Sequence, residues 1–241
     1  MRDRLMLLSG WAFGPAALEP LAELLRERGP HLQVDIVSLP TLGDPYSWLD
    51  ELDARLPADS WLAGWSLGGM LATQLAARRG DACNGLITLC SNPCFRSRDD
   101  WPAAMPAEVF EAFHAAFRLG PEETRKRFSL LASRGGFDAR TLARQLEVSR
   151  LECPVAALDA GLQLLAALDG REALRRFVGP QLHLFAGNDA LVPAAAAQAL
   201  LDWLPDVEVD VIENASHALP LERAEDIATA MLAFMQRGEE D

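Results

Sequence analysis

The sequence predicts an α/β protein: a mostly parallel central sheet of about six strands, flanked by helices on both faces and interrupted by one helical insertion. Three observations predict it. Short, near-continuous apolar runs alternate with helical patterns, which is how parallel strands buried on both faces read. The rhythm breaks once, over residues 94–171, in a stretch rich in Ala, Leu, Arg, Glu and Phe at helical spacing and without a convincing strand. The chain has 241 residues, half of them apolar and about a quarter charged. That suits one large domain carrying an insertion, and such a chain buries enough surface to fold without a metal or disulfide staple.

Taken in order, the first strand is predicted over 5–8, Leu-Met-Leu-Leu. With Met1-Arg2-Asp3-Arg4 before it and Gly10 and Trp11 soon after, this run is too short for the apolar core of a signal peptide. A helix over 15–28 stops at Gly29-Pro30, and a strand over 34–39 is closed by Pro40. Asp44 or Ser47 starts a helix that runs through 56. A buried strand over 61–65 leads directly into a helix over 67–79, with Gly80 just past its end, and a strand follows over 86–90. Beyond the insertion come strands over 181–185 and 207–212 and helices over 193–204 and 221–236. This divides the chain into a core of residues 1–93 and 172–241, with 94–171 as a helical lid. No run of 18 apolar residues exists, so no membrane span is expected, and a cytoplasmic location is the default.

The net charge of −13 argues against nonspecific nucleic-acid binding. It is unevenly spread. Ten basic and eight acidic residues lie between Cys94 and Arg150, against twelve basic and 27 acidic elsewhere. Solvated helix faces explain such a pattern by themselves, but the middle of the chain is the one place where an acidic partner could dock. The four cysteines, Cys83, Cys90, Cys94 and Cys153, have no C-x-x-C spacing and read as free thiols in a reducing compartment.

Chemistry concentrates at Gly64-Trp65-Ser66-Leu67-Gly68, a G-x-S-x-G pattern. The pattern alone arises by chance in roughly a tenth of chains this long. Its place, directly after an apolar strand and directly before a helix, is what makes it a nucleophile elbow. The turn is so tight that larger side chains at 64 and 68 would clash. Ser66 stands at a helix N-terminus, where the dipole favours a developing anion.

A serine hydroxyl needs a base. Of the four histidines, His31 lies in a loop, His114 in the insertion, and His183 reads as packed inside a strand. His217 follows the last strand, at the sheet edge that also carries Ser66 and where open α/β sheets place their sites. The acid belongs between serine and histidine in chain order. Asp189 ends the 181–185 strand, and the 28 residues from it to His217 leave room for one helix and one strand. Alone, Asp189 could be a helix cap and His217 a loop residue; the three in this order and context point to a Ser66–His217–Asp189 triad. The oxyanion hole needs two backbone donors, and the N–H groups of Leu67 and Trp11 are the candidates. Such a site requires no metal and no organic cofactor.

Several segments carry a further likeness: Gly10-Trp11, Gly64-Trp65-Ser66-Leu67-Gly68-Gly69, Ser91-Asn92-Pro93-Cys94-Phe95, Arg98-Asp99-Asp100-Trp101-Pro102, Gly187-Asn188-Asp189 and Ala215-Ser216-His217. In this order the chain resembles the pimeloyl-acyl-carrier-protein methyl ester esterases, the carboxylesterases of biotin synthesis within the α/β-hydrolase superfamily. The resemblance runs along nearly the whole chain. It implies a pimeloyl methyl ester carried on acyl carrier protein as substrate. It implies an acyl site lined by Trp11, Ser66, Leu67, His217 and the lid segment Phe128-Ser129-Leu130-Leu131-Ala132. It implies that lid arginines meet the acidic carrier, with Arg127 the nearest match and Arg125, Arg140 and Arg144 beside it. A monomer is the default expectation. Two features depart from the family: Ser9 stands where histidine is common, and the usual leading strands are missing or very short. A generic short-chain carboxylesterase, a triad-bearing lyase and a catalytically silent scaffold share the fold, so fold alone does not choose among them.

Overall fold

A computed structural model describes residues 3–237; Met1 and Arg2 lie outside them. The six strands are β1 (Asp3–Leu8), β2 (Leu32–Val37), β3 (Ser60–Trp65), β4 (Cys83–Leu89), β5 (Gln181–Ala186) and β6 (Glu208–Ile212). They form one sheet in the order β2-β1-β3-β4-β5-β6, and every neighbouring pair is parallel. Every residue of β3 and β5 is buried, whereas the edge strand β6 is half exposed. The order reverses at β1, so the crevice beyond the C-terminal ends of β1 and β3 is the natural place for a site.

Helices α1 (Glu19–Arg28), α2 (Trp48–Arg55) and α3 (Leu67–Arg79) connect the first four strands. Between β4 and β5 run α4 (Ala107–Leu119), α5 (Pro121–Ser133), α6 (Ala139–Val148), α7 (Val155–Ala167) and the short α8 (Arg171–Arg176). After β5 come α9 (Ala195–Trp203), α10 (Leu219–Glu222) and α11 (Ala224–Arg237). α1 packs against α11 on one face of the sheet, and α3 packs with α2 and α8 on the other. Among the described residues no helix is long and apolar enough to cross a membrane.

Two predicted helices are divided, for local reasons. The 15–28 helix is a 3-10 turn at Pro15–Ala17 followed by α1, because Pro20 has no N–H to continue a single ladder. The 221–236 helix is α10 and α11, parted at Arg223, whose φ of −132° and ψ of 38° lie outside the helical range. Asp44 and Ser47 share the start predicted for either one: Asp44 accepts from Tyr46 N and caps a 3-10 turn, and Ser47 precedes α2. The strand predicted over 86–90 begins earlier, at Cys83, and ends before Cys90, which takes a positive φ of 46°. All four cysteines are free, and Cys153 is half-buried.

His183 is buried in β5, its Nδ1 2.8 Å from Thr88 Oγ1. Burial pushes its pKa down to about 3. In the unfolded chain the imidazole titrates near 6.5. Between those values the unfolded chain binds a proton that the native state refuses, so native stability falls as pH drops through that window. Stability to urea should therefore decline between pH 7 and pH 4 less steeply in His183→Gln than in the parent; parallel curves would remove His183 as a cause.

Candidate active site

The nucleophile elbow is built by steric exclusion. Ser66 has φ 56° and ψ −122°, a conformation rarely adopted by a residue with a side chain. A Cβ on Gly64 would lie 2.3 Å from the carbonyl carbon and oxygen of Gly68, and one on Gly68 would lie 2.4 Å from Ser9 O. Only glycines let α3 start this close to β3 and let the loop after β1 approach α3. Ser91 Oγ donates to Ser66 O at 2.9 Å, fixing the elbow from the end of β4.

Ser66, Asp189 and His217 follow β3, β5 and β6 at the C-terminal edge of the sheet, and Asp189 and His217 are directly paired. Asp189 follows β5, and both of its oxygens are engaged. Oδ1 accepts from Leu191 N (2.7 Å) and Val192 N (2.9 Å), and Oδ2 is 2.7 Å from His217 Nδ1. Asp189 caps no helix, since α9 starts at Ala195 after Ala194; its Oδ1 instead closes the loop that follows β5. The paired Asp189 and His217 side chains are fully buried. Trp65 Nε1 donates to His217 O at 2.8 Å, which fixes the histidine loop against the elbow. His217 Nε2 is buried without a partner among the described residues, so it is the ring nitrogen left for Ser66. Catalytic contacts of this kind commonly tighten only when substrate binds.

The oxyanion candidates also lie at this edge. Neither Trp11 N–H nor Leu67 N–H is paired with another described residue. The Trp11 loop is held from the insertion: Trp11 Nε1 donates to Leu158 O (2.8 Å), Leu151 N to Ala12 O (2.9 Å) and Gly14 N to Ser149 O (2.7 Å). Phe113, Phe117 and Phe128 pack edge-on around the Trp11 ring at 5.9, 5.8 and 4.8 Å between centroids. Beside them is an apolar cavity of about 40 Å³ lined by Phe95, Phe110, Phe113, Phe128, Leu131 and Leu191. That is room for only a few water-sized groups. Ser66 itself is 5% exposed.

The predicted acyl-site segment on α5 is split by its own helical geometry. Phe128, Ser129 and Ala132 are buried and Leu131 lines the cavity, but Leu130 is 61% exposed and points away. Arg125 is likewise corrected: its side chain is 4% exposed, donating to Leu151 O (2.7 Å) and Glu122 Oε1 (3.0 Å), and it offers nothing to a partner. It shares the buried face of α5 with Phe128, Ser129 and Ala132. Arg127, Arg140 and Arg144 are exposed, as are Lys126 and Arg134, and none of the five has an ion-pair partner among the described residues.

Residues outside the sequence reading also shape the site. Cys90 is buried at the end of β4, and its sulfur, an Asp189 oxygen and a His217 nitrogen all lie within 4.8 Å of one another. Burial, and then the Asp189 carboxylate, pushes the Cys90 thiol well above its ordinary pKa, so it stays a neutral neighbour of the acid. Only its position at the end of a strand, beside the predicted site edge, could have signalled it.

Known proteins resemble this chain over most of its length. The alpha/beta hydrolase family matches residues 5–230. A pimeloyl-[acyl-carrier protein] methyl ester esterase from Aeromonas hydrophila is 37% identical over 89% of this chain and 88% of its own length. The biotin biosynthesis bifunctional protein BioHC of Cellvibrio japonicus is 35% identical over 98% of this chain, which spans about half (48%) of that longer protein. A bromoperoxidase from Bacillus anthracis, at 16% identity, superposes with a TM-score of 0.84 over 98% of this chain and 92% of its own, a likeness of fold alone. By its match along residues 5–230 and its identity to nearly full-length relatives, the chain belongs to the alpha/beta hydrolase family and, within it, to the pimeloyl-acyl-carrier-protein methyl ester esterases.

Proposed function

We propose that this chain is a serine carboxylesterase of biotin biosynthesis, working as a cytoplasmic monomer. It hydrolyses the methyl ester of a pimeloyl group carried on acyl carrier protein, releasing methanol and the free pimeloyl carboxylate. For the chemistry, the observation that carries the reading is the buried 2.7 Å His217–Asp189 pair at the sheet edge where Ser66 heads α3. For the substrate, support comes from the relatives' name.

In this mechanism Ser66 Oγ attacks the ester carbonyl while His217 Nε2 takes its proton. Asp189 holds the other ring nitrogen, sets the tautomer and stabilises the imidazolium. The N–H groups of Trp11 and Leu67 receive the oxyanion, each worth about 3 kcal/mol of barrier. Methanol leaves with the proton from His217, and water repeats the cycle on the acyl-enzyme. The apolar chamber under the insertion takes up the methylenes, at about 0.8 kcal/mol for each one buried.

The test is methanol loss, followed as a mass change of the carrier, from pimeloyl-acyl-carrier-protein methyl ester, with a short free methyl ester alongside. Rapid cleavage of the carrier-bound ester well above the free ester supports the reading. Cleavage of the free ester alone would leave a generic carboxylesterase, and loss of substrate without methanol would indicate a lyase.

The exposed basic residues on α5 and α6 would meet the acidic carrier, and Phe137, fully exposed in the turn between the two helices, is an apolar group available beside them in the chain. Charge reversal of Arg127, Arg140 and Arg144 to glutamate should lower kcat/KM for the carrier-bound ester at least tenfold at low salt, and leave the free ester unchanged. Equal effects on both substrates would place the carrier elsewhere.

A further inference from the structure

Glu222 closes α10, six residues beyond Ser216. Its carboxylate joins two distant pieces of chain. Oε2 accepts from Ser216 N (2.8 Å) and Ser216 Oγ (2.7 Å), immediately before His217. Oε1 accepts from Phe137 N (2.7 Å), in the turn between α5 and α6. A Cβ on Gly136 would sit 2.9 Å from both carboxylate oxygens and 2.7 Å from Leu142 Cδ1, so a side chain here would press on Glu222 and on Leu142.

Other contacts follow the same line. Ala218 N, just after His217, donates to Ala132 O at 3.0 Å. Asn188 Nδ2, just before Asp189, donates to Gly135 O at 3.1 Å, and Gly135 has φ 93°. The neighbours of His217 on both sides and the neighbour of Asp189 are thus all tied to the end of α5 and the turn after it. Glu222 has the most donors of this set. It forms no ion pair among the described residues; two backbone N–H groups and a hydroxyl hold it. Hydrogen bonds from neutral donors to a charged acceptor are short and strong.

We infer that Glu222 is a positioning residue that couples the seating of the α5–α6 turn to the alignment of His217 toward Ser66. When the turn is seated, the carboxylate pins Ser216 and sets where the imidazole stands. When the turn lifts, Phe137 N leaves and the histidine loop loses the far end of its anchor. Closure of the insertion and readiness of the base become one event. This rests on His217 being the base.

The test uses Glu222→Gln and Gly136→Ala. The first keeps size and shape but turns an NH2 toward an N–H donor on one side or the other. The second presses on the same carboxylate from the insertion side. Turnover of p-nitrophenyl acetate is measured per Ser66 titrated to its endpoint with a fluorophosphonate, with Tm alongside. Each variant should turn over at least tenfold more slowly per titrated site, with KM within twofold. The double variant should be no slower than the slower single one, because both break the same coupling.

A purely structural Glu222 would lower Tm and the number of titratable sites, and leave turnover per site unchanged. That outcome, or fully multiplicative losses in the double variant, overturns the inference. Should Glu222→Gln fail to fold, Gly136→Ala decides it by the same criterion. A parent chain that does not react with the fluorophosphonate overturns the triad itself, a different failure from that of Glu222.

Discussion

Alanine at Ser66 should cut turnover of the methyl ester at least a thousandfold, with Tm nearly unchanged. The hydroxyl is the only atom lost, and Ser66 Oγ holds no hydrogen bond among the described residues, so no buried partner is orphaned. The positive φ of 56° costs serine and alanine alike, so the elbow keeps its strain and its shape. What remains is substrate binding and the two N–H donors, which in serine hydrolases leave a small residual rate. Steady-state kinetics and a melting curve check both halves. Near-normal turnover would remove Ser66 as nucleophile.

Gly64→Ala should have the largest structural effect. Its new Cβ would meet Gly68 C and O at 2.3 Å and Gly69 N at 2.5 Å, all backbone atoms of the first turn of α3. No rotamer change relieves backbone. The helix must move away from β3, which costs about 3 kcal/mol or more. Moving it also carries Ser66 and Leu67 N–H off their positions, and a displacement near 1 Å costs on the order of a hundredfold in rate. Equilibrium unfolding in urea and turnover of the surviving folded protein separate the two effects. A variant as stable and active as the parent would show that the elbow has slack.

The sequence carried most of the sheet because parallel strands buried on both faces are nearly all apolar, as in Ser60–Trp65 and Gln181–Ala186. Helix divisions were harder. Pro20 interrupts a pattern whose apolar spacing continues across it, so periodicity alone reads through the break. Ser66, Asp189 and His217 could be read because each follows a strand and the three fall in a fixed chain order. The inward turn of Arg125 was also open to reading: Arg125, Phe128, Ser129 and Ala132 fall three or four apart on one face of α5, and Arg127 and Leu130 fall on the other. Glu222 was out of reach. Its partner Phe137 N is 85 residues away, and no local pattern announces a contact between a one-turn helix and a turn in the insertion.

The placement of the insertion between β4 and β5 bears on how the protein is made. Strand β4 is paired on one side by β3, but its other neighbour, β5, follows only after the five helices α4 to α8. While the ribosome works through them, the outer edge of β4 offers unpaired N–H and C=O groups in an apolar strand, the kind of edge that recruits another chain. Trp65 Nε1 meets His217 O across 152 residues, so the elbow is synthesised long before the loop it is tied to. The emerging polypeptide therefore passes through a stage in which an apolar sheet edge is bare and the elbow stands without the loop that later packs against it, a stage at which chaperone binding has something to protect.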